Sequence, residues 1–119
     1  MRFKKLVVVA VLVLTGVAVS ASAQASFSEC DANRVCMWGN NDFQWLIGER
    51  APGGGLVNLT GDANDQMDSW GNRTVTNASG YGAAGGSGDC QTFHAGQSDA
   101  NVAFFNSDEV SSWRTNQGC

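Results

Sequence analysis

An internal repeat constrains the fold of this chain more than any other feature of its sequence. Residues 64–70 align with residues 107–113 at an offset of 43 positions, and both segments are polar and acidic and end in tryptophan. The same offset places Trp38 on Tyr81, Asn58 on Asn101 and Leu59 on Val102. Because one copy is too short to bury a core alone, the repeat predicts two equivalent half-domains packed face to face as one sandwich.

The chain beyond residue 23 has frequent strand signals and no helix signal. Of the fifteen glycines, all but Gly16 lie there, and no stretch is amphipathic over three helical turns. Short apolar or β-branched runs separated by turn-rich segments are typical of an all-β sandwich or barrel. The predicted strands are residues 35–38, 44–47, 56–59, 74–76, 90–93 and 102–105.

The first 23 residues have the pattern of a secretory signal peptide. Arg2, Lys4 and Lys5 precede an apolar run over residues 6–19, and small residues at positions 21–23 end the segment. The run of about 14 residues is shorter than the ~20 that a membrane-spanning helix needs, which disfavours a membrane anchor. We expect cleavage after Ala23, with Ala25 as an alternative, and a secreted, extracellular domain of residues 24–119.

Removal of the predicted signal makes the chain strongly acidic. Four arginines remain against eleven acidic residues, which gives a formal charge of 4 − 11 = −7. A surface of this sign repels nucleic acid and anionic lipid. We therefore expect neither a nucleic-acid nor a membrane partner, and a monomer is the predicted state.

All four cysteines lie in the predicted exported part, where an even count indicates disulfides. Three pairings are possible. The five residues between Cys30 and Cys36 close easily across a turn at 31–33, which favours that pair and leaves Cys90 with Cys119. A metal site on these cysteines is disfavoured, because the chain has no Cys-x-x-Cys motif and His94 is its one histidine.

The repeated residues resemble the βγ-crystallin Greek key, whose signature is two aromatic residues followed later by a short acidic stretch ending in Ser. Trp38, Phe43 and residues 64–69 match the first copy, and Tyr81, Gly88 and residues 107–112 match the second. The resemblance implies two Greek keys, at about residues 30–76 and 77–119. At four positions the sequence has a residue that the pattern does not expect. Trp45 stands where glycine is expected, and Gly86 stands where the second aromatic is expected. Asp68 stands where Ser or Thr is expected, and Ser107 stands where Asn or Asp is expected.

In the crystallin family such paired acidic stretches bind calcium, a hard cation that prefers oxygen ligands. The resemblance implies one site from Asp65 with Ser111 and another from Asp108 with Asp68. Backbone oxygens near Gln66 and Glu109 are further candidate ligands. The alternative is a solvated turn, since Asp often bonds its local backbone at such positions. Ser69 and Ser112 are predicted to tie each folded hairpin to its acidic loop.

The segment from Cys30 to Trp38 also resembles secreted actinobacterial proteins grouped with the metalloproteinase inhibitors of Streptomyces, which share the crystallin-like fold. This resemblance implies inhibition of extracellular metalloproteinases. In those inhibitors a second short disulfide braces the reactive loop, but here the second cysteine pair lies 29 positions apart. The reactive site is therefore unknown, and the glycine-rich residues 80–88 are predicted to be too flexible to replace it.

Catalysis is not expected. His94 has no nucleophile to serve, and a glycosidase-like carboxylate pair has no specific signal among so many acids. Of the tryptophans at positions 38, 45, 70 and 113, three occupy repeat-equivalent or strand positions and are interpreted as core rather than as a carbohydrate platform. Two functions thus follow from the sequence: a proteinase inhibitor, or a calcium-binding structural or surface-interaction module.

Overall fold

The computed structural model describes residues 27–102 and 108–119. The predicted signal peptide, Ser107 and most of the predicted strand 102–105 lie outside these residues. The described chain forms eight strands: β1 Val35–Asn40, β2 Gln44–Arg50, β3 Val57–Asn58, β4 Ser69–Asn72, β5 Ala78–Ala83, β6 Ser87–Phe93, β7 Ser98–Asp99 and β8 Ser112–Arg114. Short 3-10 turns occupy Gly61–Ala63 and Ala84–Gly86.

The strands form two four-stranded antiparallel sheets, and the two halves of the chain exchange one strand. Sheet A has the order β2-β1-β4-β7, and sheet B has the order β3-β8-β5-β6. β3 from the first half pairs with β8, while β7 from the second half pairs with β4. Each sheet therefore contains three strands of one repeat and one strand of the other, which confirms the predicted all-β sandwich of two equivalent halves.

The 43-residue repeat is visible in the backbone as well as in the sequence. Left-handed φ angles occur at equivalent positions of both halves, where the chain folds back between strands and where it enters the acidic stretch. The matched residues are Asp42 and Gly85 (59° and 73°), Phe43 and Gly86 (59° and 73°), Trp45 and Gly88 (67° and 79°), and Asp65 and Asp108 (60° and 58°). The two hairpins are thus built alike although their residue types differ.

β1 lies between β2 and β4 in sheet A, and its side chains are buried on both faces of the sheet. Alternate side chains of a strand point to opposite faces. Val35 and Met37 accordingly face the main core between the sheets, while Cys36 and Trp38 belong to a second cluster on the outer face. The main core comprises Val35, Met37, Met67, Trp70, Ala78, Phe93, Val102, Val110 and Trp113.

A disulfide ties one further segment of the chain to each sheet. On sheet A, Phe27 stacks on Trp38, and the Cys30–Cys36 disulfide closes beside this pair. On sheet B, Ser79 Oγ donates to the Gln117 carbonyl, and Cys119 is bonded to Cys90. The structure therefore contains the two disulfides that the cysteine spacing favoured.

One local strand prediction was wrong. Residues 74–76 were predicted as a strand because of their β-branched composition, but they form a tight bend between β4 and β5. Residues 80–88, which were predicted to be flexible because of their glycines, lie in the β5–β6 hairpin, which has a register irregularity between Tyr81 and Ala83 and one 3-10 turn. Among the tryptophans, three lie in the core as predicted, whereas Trp45 is 46 % exposed.

Candidate functional site

The two acidic stretches lie against each other and exchange equivalent backbone hydrogen bonds. The Asp65 amide donates to the Val110 carbonyl at 3.0 Å, and the Asp108 amide donates to the Met67 carbonyl at 3.0 Å. The two hydrogen bonds are equivalent under the repeat, because Asp108 lies 43 positions after Asp65 and Val110 lies 43 positions after Met67. The predicted pairing of each stretch with the other is therefore present in the fold.

The first predicted calcium pair is in direct contact. Ser111 Oγ donates a hydrogen bond to Asp65 Oδ1 at 2.7 Å, with Asp65 exposed in a left-handed turn. An exposed carboxylate beside a hydroxyl provides two hard oxygens of the kind that Ca²⁺ prefers.

The second predicted pair joins two carboxyl groups. Burial raises the pKa of Asp108 above its ordinary value, and the neighbouring charge of Asp68, a hydrogen bond with Asp68 and the charge of Asp65 raise it further. The ionised form of Asp108 is therefore disfavoured, because its carboxylate interacts with those of Asp68 and Asp65. Crowded carboxylates of this kind fit a cation, which would relieve their repulsion.

Gln66 and Glu109 follow the two left-handed aspartates and are both half-buried. Backbone oxygens near these two residues are predicted calcium ligands.

Ser69 and Ser112 tie each hairpin to the strand that follows the acidic stretch. Ser69 Oγ donates to the Asn40 carbonyl at 2.8 Å and accepts from the Phe43 amide at 3.1 Å. Ser112 Oγ makes the equivalent bonds with the Ala83 carbonyl at 2.6 Å and the Gly86 amide at 2.9 Å. Both serines are fully buried. This is the structural role that the sequence analysis gave them.

At one end of the sandwich, a loop that the sequence analysis missed is held by buried polar groups. Residues 73–77 connect β4 to β5. Asn72 Nδ2 donates to the carbonyls of Thr76 and Phe93, and Asn72 Oδ1 accepts from the Thr74 amide and hydroxyl. Val75 protrudes from this loop and is 95 % exposed. Residues 74–76 were predicted as a strand, and the bonds that Asn72 makes to this loop were not anticipated.

Two neighbouring segments flank this loop. The disulfide loop lies on one side, where the Asn33 amide donates to the Arg73 carbonyl and Arg73 Nη1 donates to the Cys30 carbonyl. On the other side the Gly96 amide donates to the Asn72 carbonyl. An open cleft of about 380 Å³ lies beside the loop and is lined by Phe27, Asn72, Arg73, Thr74, Val75, Gly96, Gln97 and Ser98.

Other candidate sites carry no chemistry of their own. Cys30, Cys36 and Glu49 bring their sulfur and oxygen atoms within 4.8 Å of one another, but the two sulfurs are bonded in a disulfide and are not thiolate ligands. His94 is exposed in the turn after β6. Within residues 27–102 and 108–119, no helix is long and apolar enough to cross a membrane.

Solved structures with a similar fold are βγ-crystallin domains. One, from work on the evolution of the eye lens beta-gamma-crystallin domain fold, has a TM-score of 0.61 at 17 % identity, covering 71 % of this chain and 87 % of that one. A domain from Flavobacterium johnsoniae has a TM-score of 0.55 at 18 % identity, with coverages of 67 % and 90 %. A domain from Clostridium beijerinckii has a TM-score of 0.54 at 15 % identity, with coverages of 68 % and 94 %. These similarities establish a βγ-crystallin-like fold.

No curated protein matches this sequence at a significant level. The family comparison does find a match, which runs over residues 23–93 and so covers more than half of the chain. It spans the disulfide loop, the first repeat and the hairpin of the second repeat. This family consists of inhibitors and not of enzymes, so its partner is a peptidase. The chain is a βγ-crystallin-type protein that belongs to peptidase inhibitor family I36.

Proposed function

We propose that this protein is secreted and inhibits extracellular metallopeptidases. The observation that carries the proposal is the match of residues 23–93 to the peptidase inhibitor family. Two disulfides in a small domain support an extracellular location, because such bonds persist in oxidising compartments. The choice of metallopeptidases as targets rests on the likeness of the Cys30 to Trp38 segment to secreted metalloproteinase inhibitors.

The architecture suits an inhibitor that binds as a rigid body. A loop fixed before binding loses little conformational entropy when it enters a peptidase cleft. The disulfide loop and the loop of residues 73–77 are both fixed in this way, by a covalent bond and by buried hydrogen bonds respectively. Their hydrogen bonds to each other join them into one surface.

The test is inhibition kinetics with protein recovered from the medium of a secreting host. We expect competitive inhibition of a thermolysin-type metallopeptidase at micromolar or lower protein concentration, with a raised KM for a peptide substrate and an unchanged kcat. A serine peptidase such as trypsin serves as the comparison enzyme. Unchanged hydrolysis by the metallopeptidase, together with inhibition of trypsin, would reject the proposed target class. Unchanged hydrolysis by both enzymes would reject inhibition itself.

The same preparation tests secretion and oligomeric state. Cleavage after Ala23 predicts that the exported chain begins at Gln24, which its intact mass would report. We expect elution as a monomer in size-exclusion chromatography. Retention of the protein in the cells, or a mass that still includes residues 1–23, would contradict export by a cleaved signal peptide.

A second candidate function is calcium binding by the paired acidic stretches. Two observations favour it: the contact of Asp65 with Ser111 and the convergence of Asp65, Asp68 and Asp108. Asp65 with Ser111 would hold one ion, and Asp108 with Asp68 would hold the other. Calcium bound there would join the two repeats, because each site takes one residue from each half of the chain.

Calcium binding would be tested by thermal unfolding in EDTA and across a calcium titration. A ligand that binds only the native state stabilises it by RT ln(1 + [L]/Kd), about 2.7 kcal/mol at a hundredfold excess over Kd. We expect a rise in Tm with calcium that Asp65→Ala reduces. The matched control is Asp62→Ala, which removes an exposed carboxylate from the adjacent 3-10 turn. An equal Tm with calcium and with EDTA would exclude the calcium sites without affecting the inhibitor proposal.

A further inference from the structure

The loop of residues 73–77 presents one apolar side chain on a rigid backbone. Val75 is 95 % exposed, whereas the next most exposed large apolar side chains among the described residues, Trp45 and Val57, are each 46 % exposed. A single exposed apolar residue needs no explanation by itself. Its significance here comes from the groups that hold the loop beneath it.

Buried polar side chains fix the backbone on both sides of Val75. Asn72 is 1 % exposed and Thr74 is 5 % exposed, and together they bond the Thr76 carbonyl, the Thr74 amide and the Phe93 carbonyl. The Thr74 hydroxyl lies 2.7 Å from Asn72 Oδ1 and 2.9 Å from the Thr76 carbonyl, which share its one proton as acceptors, and it accepts from the Thr76 amide. Burying polar groups is unfavourable unless they are hydrogen-bonded, and here they bond the loop itself. The loop conformation is therefore determined by the folded core beneath it.

The surroundings of Val75 provide the rest of a contact surface. The disulfide loop lies beside residues 73–77 through the bonds of Arg73 to Asn33 and Cys30, and Asp31, Ala32 and Asn33 are all exposed there. The cleft of about 380 Å³ lies next to Val75 and offers space for a side chain of the partner. Three adjacent fixed segments thus surround a protruding apolar residue, which is the form expected of a central anchor with a polar rim.

We propose that Val75 is the anchor that enters the apolar specificity pocket of the target peptidase, with the disulfide loop and residues 96–98 as the rim of the contact. This inference rests on the proposed inhibitory function and adds to it the residue that makes the primary contact. The partner surface it requires is an apolar pocket deep enough for a branched aliphatic side chain. The loop remains folded in the complex because its conformation is already fixed.

The test compares inhibition constants of single variants against a thermolysin-type metallopeptidase. Val75→Asp places a charge in the apolar pocket and should weaken inhibition by about 30-fold or more, since an unpaired charge is disfavoured there. Val75→Leu should inhibit within about fivefold of the parent, because it retains an aliphatic side chain. The matched control is Val57→Asp, which introduces the same charge at an exposed valine on β3 and should change inhibition less than threefold. Thermal unfolding of each variant verifies that it is folded.

The outcomes separate this inference from the function on which it rests. A parent protein that inhibits, with Val75→Asp weakened less than about 30-fold, overturns the role of Val75 and leaves the inhibitor function intact. Equal losses in Val75→Asp and Val57→Asp also overturn it, because the effect is then one of charge and not of position. A parent protein that inhibits no peptidase overturns both proposals.

Discussion

At the scale of single residues, Trp45 shows how the fold tolerates a departure from its own pattern. The equivalent position in the second repeat is Gly88, and both residues have left-handed φ angles, 67° and 79°. A non-glycine residue in this region carries a steric cost. The Trp45 ring offsets part of this cost by lying directly over Gly39, where a Cβ would come within 2.1 Å of it.

This arrangement predicts an order of stability for two substitutions. Trp45→Ala and Trp45→Gly both remove the ring, but only glycine also removes the steric cost of the left-handed backbone. We expect Trp45→Gly to be more stable than Trp45→Ala by about 1 kcal/mol in the free energy of unfolding, measured by urea denaturation. An alanine variant as stable as the glycine variant would show that position 45 does not adopt this conformation in solution.

Asp108 gives a second prediction at this scale, through the pH dependence of stability. Its pKa is raised in the folded state above the ordinary 3.8 by slight desolvation of this largely exposed carboxyl, and by the neighbouring charges of Asp68 and Asp65. Between the two pKa values the native state binds more protons than the unfolded state, so the free energy of unfolding falls as the pH rises through this interval. Ionised Asp108 therefore destabilises the calcium-free protein at neutral pH.

Asp108→Asn should accordingly raise Tm in EDTA at pH 7 by a few degrees, because exposed charge pairs interact by ~0.2–1 kcal/mol. The gain should shrink toward zero as the pH falls below about 3.8, where the parent carboxyl is protonated in both states. Asp31→Asn, which removes a carboxylate from the disulfide loop, is the control and should show much less change. An unchanged or lowered Tm for Asp108→Asn at pH 7 would contradict the crowding of these carboxylates.

At the scale of elements, the sequence predicted β1, β2 and β6 better than it predicted the connection between β4 and β5. Composition alone suggested a strand at residues 74–76, because Thr and Val favour strands. The structure forms a bend there, because Asn72 and the Thr74 hydroxyl bond nearby backbone groups and replace a strand partner. Composition does not reveal whether a threonine will lie in a strand or will bond nearby backbone groups through its hydroxyl.

Composition was also a poor guide for the glycine-rich hairpin of residues 80–88, where it suggested flexibility. Gly80 lies in β5, where a Cβ would come within 2.9 Å of Phe93 and 3.2 Å of Val110. Glycine is required there by close packing against the core and not by flexibility. A single sequence shows the glycine but not the side chains that approach it.

The two disulfides differ in their surroundings, and this difference predicts the order of their reduction. Cys30 and Cys36 are fully buried beside Trp38, whereas Cys90 and Cys119 are exposed. Because reduction requires access of a thiolate to sulfur, limited treatment with reductant followed by alkylation should label Cys90 and Cys119 first. Peptide mass spectrometry would report the labelled positions. Earlier labelling of Cys30 and Cys36 would contradict the covered outer face of sheet A.

At the scale of the whole molecule, the repeat offset predicted more of the structure than any single motif did. It predicted the two halves, and the resemblance to the βγ-crystallin family added the contact of Asp65 with Ser111 and the proximity of Asp68 to Asp108. It did not predict that β3 and β7 each join the sheet of the other half. A periodic sequence shows that two units are alike, but the partner of an edge strand depends on contacts between the units.

The exchanged strands and the loops at one end of the sandwich have separate consequences for function. The exchange brings the acidic stretches of both halves together and forms the candidate calcium sites. The family resemblance predicted the acidic pairs, whereas neither it nor the repeat identified the loop that carries Val75.

The central claim, that this βγ-crystallin-type domain inhibits a metallopeptidase, is tested most directly by titrating a fixed amount of active thermolysin-type enzyme with the secreted protein. Residual activity should fall in proportion to the added protein and approach zero near one inhibitor per enzyme when the enzyme concentration is well above Kd. Full activity in the presence of a tenfold excess of folded protein would contradict the claim.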